Sequence, residues 1–144
     1  MPTDADLEDE LYAVDTSVAV AFLDASHTAH RKCVDTLSGK VSALSGHAAF
    51  ETLAVLTRLP GPAQVEPADA ARAISIAFSE RCWLNGSQQQ RLLATVGDMG
   101  IAGGMVYDAL VGEAARVNGR VLLTRDRRAI PTYEFLGVRY VMVG

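Results

Sequence analysis

Four acidic residues of this 144-residue chain stand where a carboxylate could do chemistry. Asp15 directly follows the short apolar run Leu11-Tyr12-Ala13-Val14, and Asp126 lies just past Val121-Leu122-Leu123. Each has an ordinary explanation as the cap of a following helix, accepting from its orphan N–H groups. Glu51 has Ala48, Ala54 and Val55 as its helical neighbours. A solvated glutamate more often has polar groups there, although a surface acid directed toward Arg58 is the plain alternative. Asp108 follows Gly103-Gly104, where an acid in a first helical turn gains about 0.3–1 kcal/mol from the macrodipole. Singly these signals are weak. Gathered at one place, the four would repel, by about 3 kcal/mol for a pair ~5 Å apart at an effective dielectric of ~20. A hard divalent cation, Mg²⁺ or Mn²⁺, is the natural counter-charge, because it prefers carboxylate and water oxygens. Such an ion orients water, lowers its pKa and stabilises the leaving oxygen of a phosphodiester. Without it, removing a charge by Asp15→Ala or Asp108→Asn is expected to stabilise the protein.

Short apolar runs alternate with amphipathic stretches along the chain. Strands are expected at Leu11–Val14, Val41–Leu44, Arg81–Leu84, Val121–Leu123 and Arg139–Val143. Helices are expected from Val18, over Thr28–Leu37, Ala48–Leu59 and Pro67–Phe78, over Ser87–Met99 with Ser87 as cap, and over Met105–Val117. Pro60-Gly61-Pro62 ends the third of these. Strands alternating with helices imply βαβ units and a mostly parallel sheet covered on both faces. Right-handed crossovers then bring the carboxyl ends of the strands to one edge, where ligands bind. Asp15 and Asp126 share that edge if their strands are parallel and central.

The apolar content of 49% excludes a low-complexity disordered chain, and the length suits one core. No segment approaches the ~18–20 apolar residues of a membrane span, and the acidic N-terminus does not read as a secretory signal, so a cytoplasmic protein is expected. Net charge is −4, but Asp4, Asp6, Glu8, Asp9 and Glu10 are all in the first ten residues. The remainder carries 13 basic and 12 acidic groups, so bulk charge does not announce a nucleic-acid partner, and a local patch or bound cation could still attract one. Residues 1–10 form an acidic leader, either disordered or a misassigned start, before a single domain at 11–144. Cys33 and Cys82 form no metal-binding spacing and are expected as buried free thiols.

Four segments carry a resemblance: Ala13-Val14-Asp15-Thr16-Ser17-Val18, Phe50-Glu51-Thr52-Leu53, Tyr107-Asp108-Ala109-Leu110 and Leu123-Thr124-Arg125-Asp126. In order and spacing, over nearly the whole chain, they resemble the four acidic motifs of PIN-domain nucleases. Glu51 through Leu59-Pro60-Gly61, and Thr124 through Ala129 with Thr132-Tyr133 and Gly137-Val138, are similar to VapC toxins of type II toxin–antitoxin systems. The resemblance implies a three-layer α/β/α sandwich with a mostly parallel sheet of four to five strands. It implies a metal-dependent endoribonuclease in which Asp15, Glu51, Asp108 and Asp126 hold one or two Mg²⁺ or Mn²⁺ ions. Ser17 would orient the first acid and Thr124 support the fourth. Activated water would attack RNA, leaving a 3′-hydroxyl and a 5′-phosphate. A homodimer is implied, together with a VapB-type antitoxin whose C-terminal segment crosses the groove, often with an arginine near the acids. The turn at Pro60–Pro62 would separate two helices that meet that antitoxin.

Other side chains leave alternatives open. Arg125, Arg127 and Arg128 either contact RNA phosphates or are ordinary solvated arginines. His27 and His30 are too few for zinc and are expected at the surface or facing a partner, and His47 opens the Glu51 helix. Trp83 is expected in the core rather than stacking on a base. A receiver-like domain would need a lysine beside the last strand, but only Lys32 and Lys40 occur. A phosphatase of the Asp-x-Asp type is opposed by Asp15-Thr16-Ser17, and no phosphate-binding glycine loop occurs. The remaining rival is a catalytically silent scaffold of the same fold that binds RNA or protein, which would gain nothing from clustered acids.

Overall fold

The structure, a computed structural model, describes residues 10–144. Five strands, β1 (Tyr12–Val14), β2 (Ser42–Ser45), β3 (Arg81–Cys82), β4 (Val121–Thr124) and β5 (Tyr140–Met142), form one sheet in the order β3-β2-β1-β4-β5. Every pairing is parallel. Among the described residues seven α-helices accompany it: α1 (Thr16–Leu23), α2 (His30–Leu37), α3 (Gly46–Leu56), α4 (Pro67–Ala77), α5 (Gly86–Asp98), α6 (Met105–Val117) and α7 (Ile130–Leu136). The result is the expected α/β/α sandwich. Strands covered on both faces are predominantly apolar, and all four residues of β4 are buried, the polar Thr124 standing at its carboxyl end. Val14, Leu44, Leu122 and Leu123 are at most 1% exposed and form the centre of the main core. Leu92, Val96 and Ala109 form a smaller cluster that seats α6 against α5.

Strand order reverses at β1. The chain builds outward to β2 and β3 on one side, then returns to place β4 and β5 on the other. The crevice beyond the carboxyl ends of β1 and β4 is therefore the topological switch point, where parallel sheets bind ligands. Val14 pairs with Leu123, and the Asp15 N–H donates to the Leu123 carbonyl at 3.2 Å.

Several boundaries differ from the expectations. The third helix ends at Leu56, short of Leu59, where the Thr57 hydroxyl bonds back to the Leu53 carbonyl at 2.9 Å and Pro60 cannot extend the helix. Helix α5 is capped by Asn85, not Ser87, through a reciprocal box with Gln88 in which each bond is 2.8 Å. Strand β3 stops at Cys82, so Trp83 leaves the sheet and is 52% exposed rather than in the core. Its ring lies flat against Gly46, where a Cβ would come within 2.2 Å of the indole. Helix α7 is absent from the sequence-based expectations. Pro131 in its first turn and Gly137, at φ +74°, are its start and stop signals. Cys33 and Cys82 are buried and free, as expected.

The leader as far as residue 9 lies outside the described residues. Glu10 pairs with Arg139 at 2.8 Å. Among the described residues no helix is long and apolar enough to cross a membrane.

Candidate active site

Asp15 sits at the turn from β1 into α1 because the strand ends there and the helix needs a cap. Its Oδ1 accepts from the Val18 N–H at 3.2 Å and from the Ser17 hydroxyl at 2.5 Å. Its Oδ2 accepts from the Thr124 hydroxyl and, at 3.0 Å, from the Tyr133 hydroxyl. The capping and site explanations offered for Asp15 thus coexist in one side chain. Both supporting hydroxyls have a fixed direction. Ser17 Oγ accepts the Arg125 N–H at 2.8 Å, and Thr124 Oγ1 accepts the Asp126 N–H at 3.1 Å. Each hydroxyl therefore turns its own proton to Asp15. Together the two relays tie the loop after β4 to the carboxylate after β1.

Glu51 is carried by α3 and Asp108 by the first turn of α6. Asp126 follows β4 and caps a short 3₁₀ turn, Arg127–Ala129, by accepting the Arg128 N–H at 3.0 Å. Asp15, Glu51, Asp108 and Asp126 all line one cavity of about 220 Å³, with Thr16, Ser17, Val111 and Tyr133 completing its wall. Four separate segments thus deliver one carboxylate each to the switch point of the sheet.

The electrostatics follow from that crowding. Burial, then Asp126, Glu51 and Asp15, push Asp108 up to about 6, and Arg128 offsets only part of the rise. Burial and Asp15 raise Glu51, with the Thr16 hydroxyl in opposition. Asp15 is raised by burial against the pull of its four donors. Burial and the neighbouring Asp15 raise Tyr133 far above the ordinary tyrosine range, so its hydroxyl remains a donor. His47 Nε2 is 3.6 Å from Glu51 Oε1. Burial lowers its pKa, so near neutral pH it offers Glu51 no full counter-charge.

The remaining expected residues are placed as follows. Arg125, Arg127 and Arg128 do not line the cavity. Arg128 stands 3.6 Å from Asp126 and is almost fully exposed, Arg127 is exposed, and Arg125 buries an Nε with no hydrogen-bond partner. His27 Nδ1 accepts the Ala29 N–H at 3.0 Å, and His30 Nδ1 meets the Ala21 carbonyl at 3.0 Å, so both fasten a turn. The site residue missing from the sequence-based set is Tyr133. It stood among the similar segments, but with α7 unrecognised nothing directed it toward Asp15.

The donor set suits a hard cation. Every polar side chain lining the cavity presents oxygen, and Thr16 Oγ1 is buried there with no hydrogen-bond partner of good geometry. Among the described residues no three His, Cys, Asp or Glu side chains form a ready-made cage. Magnesium does not require one, because it keeps several waters and takes only one or two carboxylates directly.

The PIN domain family model matches residues 12–135. Ribonuclease VapC27 of Mycobacterium tuberculosis is 44% identical over 130 residues, which are 90% of this chain and 95% of the relative. Ribonuclease VapC40 of the same species is 41% identical over 134 residues, 92% of this chain and 99% of the relative. The crystal structure of M. tuberculosis VapC20, described as a sarcin–ricin loop cleaving toxin, superposes with a TM-score of 0.67 at 20% identity, covering 88% of this chain and 95% of that one. The structure of VapBC2 from Rickettsia felis, bound to a DNA fragment from its promoter, gives 0.60 at 14% identity, covering 93% and 99%.

Proposed function

The chain belongs to the PIN domain family as a VapC-type toxin ribonuclease, and from that premise we propose that its endoribonuclease activity depends on Mg²⁺ or Mn²⁺ held by Asp15, Glu51, Asp108 and Asp126. The observation that supports this most is the convergence of those four acids on one cavity at the switch point of the sheet. When bound, the ion supplies counter-charge and lowers the pKa of a water that can attack an RNA phosphate.

The protein's own groups do the positioning. Asp15 is the fixed member, because four donors hold both of its oxygens. Glu51, Asp108 and Asp126 are half-buried and more sparsely bonded, and they form the side of the site that can adjust to substrate. Attack of water on phosphorus with cleavage of the P–O3′ bond leaves a 5′-phosphate and a protonated 3′-hydroxyl. Arg128 stands 3.6 Å from Asp126 and is almost fully exposed, where a guanidinium can contact RNA phosphates, and Arg127 beside it in the chain is also exposed.

Two partners accompany this function. One is a VapB-type antitoxin, whose C-terminal segment would cover the groove and bring an arginine to the acids. The shared fold with the solved neighbour VapBC2 supports such pairing. The other is a second copy of this chain. Phe50, Trp83 and Tyr107 are 63%, 52% and 50% exposed. Phe50 lies 6.3 Å from Trp83 between ring centroids, Tyr107 stacks on His47 at 5.0 Å, and His47 lines one cavity with Phe50 and Trp83, which joins the two pairs into one patch. An apolar patch of this kind marks an interaction surface.

The test is to map the 5′ ends of cellular RNA after brief expression, beside an Asp108→Asn control, and to repeat cleavage with purified protein in Mg²⁺ and in chelator. New 5′-phosphate ends that need both Asp108 and the cation are expected. Undiminished cleavage by Asp108→Asn, or in chelator, would end the assignment.

A further inference from the structure

Three of the four donors to Asp15 come from its own turn or from the end of β4. The fourth is Tyr133 of α7, whose hydroxyl reaches Oδ2 at 3.0 Å from a ring that is only 1% exposed. Gly112 of α6 makes room for that ring. A Cβ at Gly112 would lie 2.8 Å from Tyr133 Cδ1, 3.1 Å from its Cε1 and 3.1 Å from Val138. The backbone of Gly112 is not in the left-handed region, so its missing side chain answers to space, not to conformation. Gly112 also stands one helical turn after Asp108, on the same face of α6. The aromatic ring is therefore wedged against the helix that carries Asp108, while its hydroxyl grips the carboxylate of Asp15.

We propose that Tyr133, seated on Gly112, is a positioning residue for the divalent cation: it sets the orientation of the Asp15 carboxylate relative to the helix bearing Asp108. The proposal rests on the metal-dependent function above. A carboxylate turns freely about its Cβ–Cγ bond unless donors hold it. Ser17, Val18 and Thr124 hold Asp15 to the first turn of α1 and to β4, and among its donors only Tyr133 ties it to α7 and, through the ring, to α6. Partners in the outer shell of a metal site matter for this reason, and losing one commonly lowers metal affinity by about 10–100-fold.

The test is a Mn²⁺ titration of the full chain followed by electron paramagnetic resonance, which reads free ion directly and needs no RNA. Tyr133→Phe keeps the ring and removes only the hydroxyl, and is expected to weaken Mn²⁺ binding by about tenfold or more. Thermal melts in chelator verify that the variant is folded at the titration temperature. Damage that was merely structural would lower the melting point and leave the ion affinity of the folded protein unchanged. Gly112→Ala retains the hydroxyl but displaces the ring, and is expected to weaken Mn²⁺ in the same direction. The double variant should bind no more weakly than the weaker single one, because both changes act through one bond. If Gly112→Ala does not fold, Tyr133→Phe decides alone. Equal affinity in Tyr133→Phe and the parent would overturn the proposal, and so would tighter binding, which would mean that the hydroxyl competes with the ion. A parent protein that binds no Mn²⁺ would instead sink the metal-dependent function itself.

Discussion

Thr124 gives its hydroxyl proton to Asp15 while its oxygen accepts the Asp126 N–H at 3.1 Å. One side chain thereby serves the first and the fourth acid together. Thr124→Val keeps the shape and removes both bonds, leaving a buried carboxylate oxygen one donor short. A loss of about 1–3 kcal/mol in urea unfolding is expected, with Thr124→Ser recovering most of it. Equal stability of the valine and parent proteins would show that the hydroxyl does not support the site.

Asp108 is the acid most penalised by its neighbours. Its pKa is about 6 in the folded protein against an ordinary 3.8. Between those values the folded state binds more protons than the unfolded one, so stability of the metal-free protein rises as pH falls. The gain is complete below the unfolded value and is lost as pH climbs through about 6. Glu51 and Asp15 are shifted in the same direction. Asp108→Asn should flatten this dependence and stabilise the metal-free protein at pH 7 by about 1–2 kcal/mol, after discounting for partial solvent exposure. Melts in chelator from pH 5 to pH 8 read both effects, and a variant less stable than its parent at pH 7 would contradict the crowding.

Asp15 should behave in the opposite way, although charge alone predicts relief there too. Asp15→Ala removes the cap of α1 and strands the Thr124 and Tyr133 hydroxyls in a buried site. A net loss of about 1–3 kcal/mol is expected despite the deleted charge. The comparison is made by denaturant unfolding beside Asp108→Asn. Stabilisation by both changes would mean that repulsion outweighs the hydrogen bonds at each position.

The exposed patch of Phe50, Trp83 and Tyr107 should be covered in a homodimer. Phe50→Asp places a charge on a side chain that is already 63% exposed, so the monomer fold should tolerate it. Sedimentation is expected to show a dimer for the parent and a monomer for the variant. Trp83 is the chain's single tryptophan, so dilution of the parent should shift its emission to the red. A parent that sediments as a monomer at all concentrations would remove the second copy from this face.

What the sequence disclosed depended on how local each signal was. Asp15 and Asp126 were legible because an acid following an apolar strand in a parallel sheet points to one edge. Glu51 stood out through its apolar helical neighbours, and the four motifs together carried the family. Trp83 was misplaced because β3 ends at Cys82, and a two-residue edge strand leaves no periodicity to read. Tyr133 was missed for a different reason. Its meaning lies in contacts with Asp15 and Gly112, both distant in sequence, while the short helix that carries it offers a proline start and a glycine stop but little pattern between. The opposite effects expected at Asp15 and Asp108 were likewise invisible, because like charge can be counted in a sequence whereas donors to a buried oxygen cannot.

The dependence of Asp15 on Thr124 and Tyr133 also has a consequence in time. Thr124 and Tyr133 are made 109 and 118 residues after the acid whose surroundings they finish. A growing polypeptide that has not yet reached Thr124 carries Asp15 without two of its four donors, so the carboxylate is held on both oxygens only after that later segment has folded back onto β1.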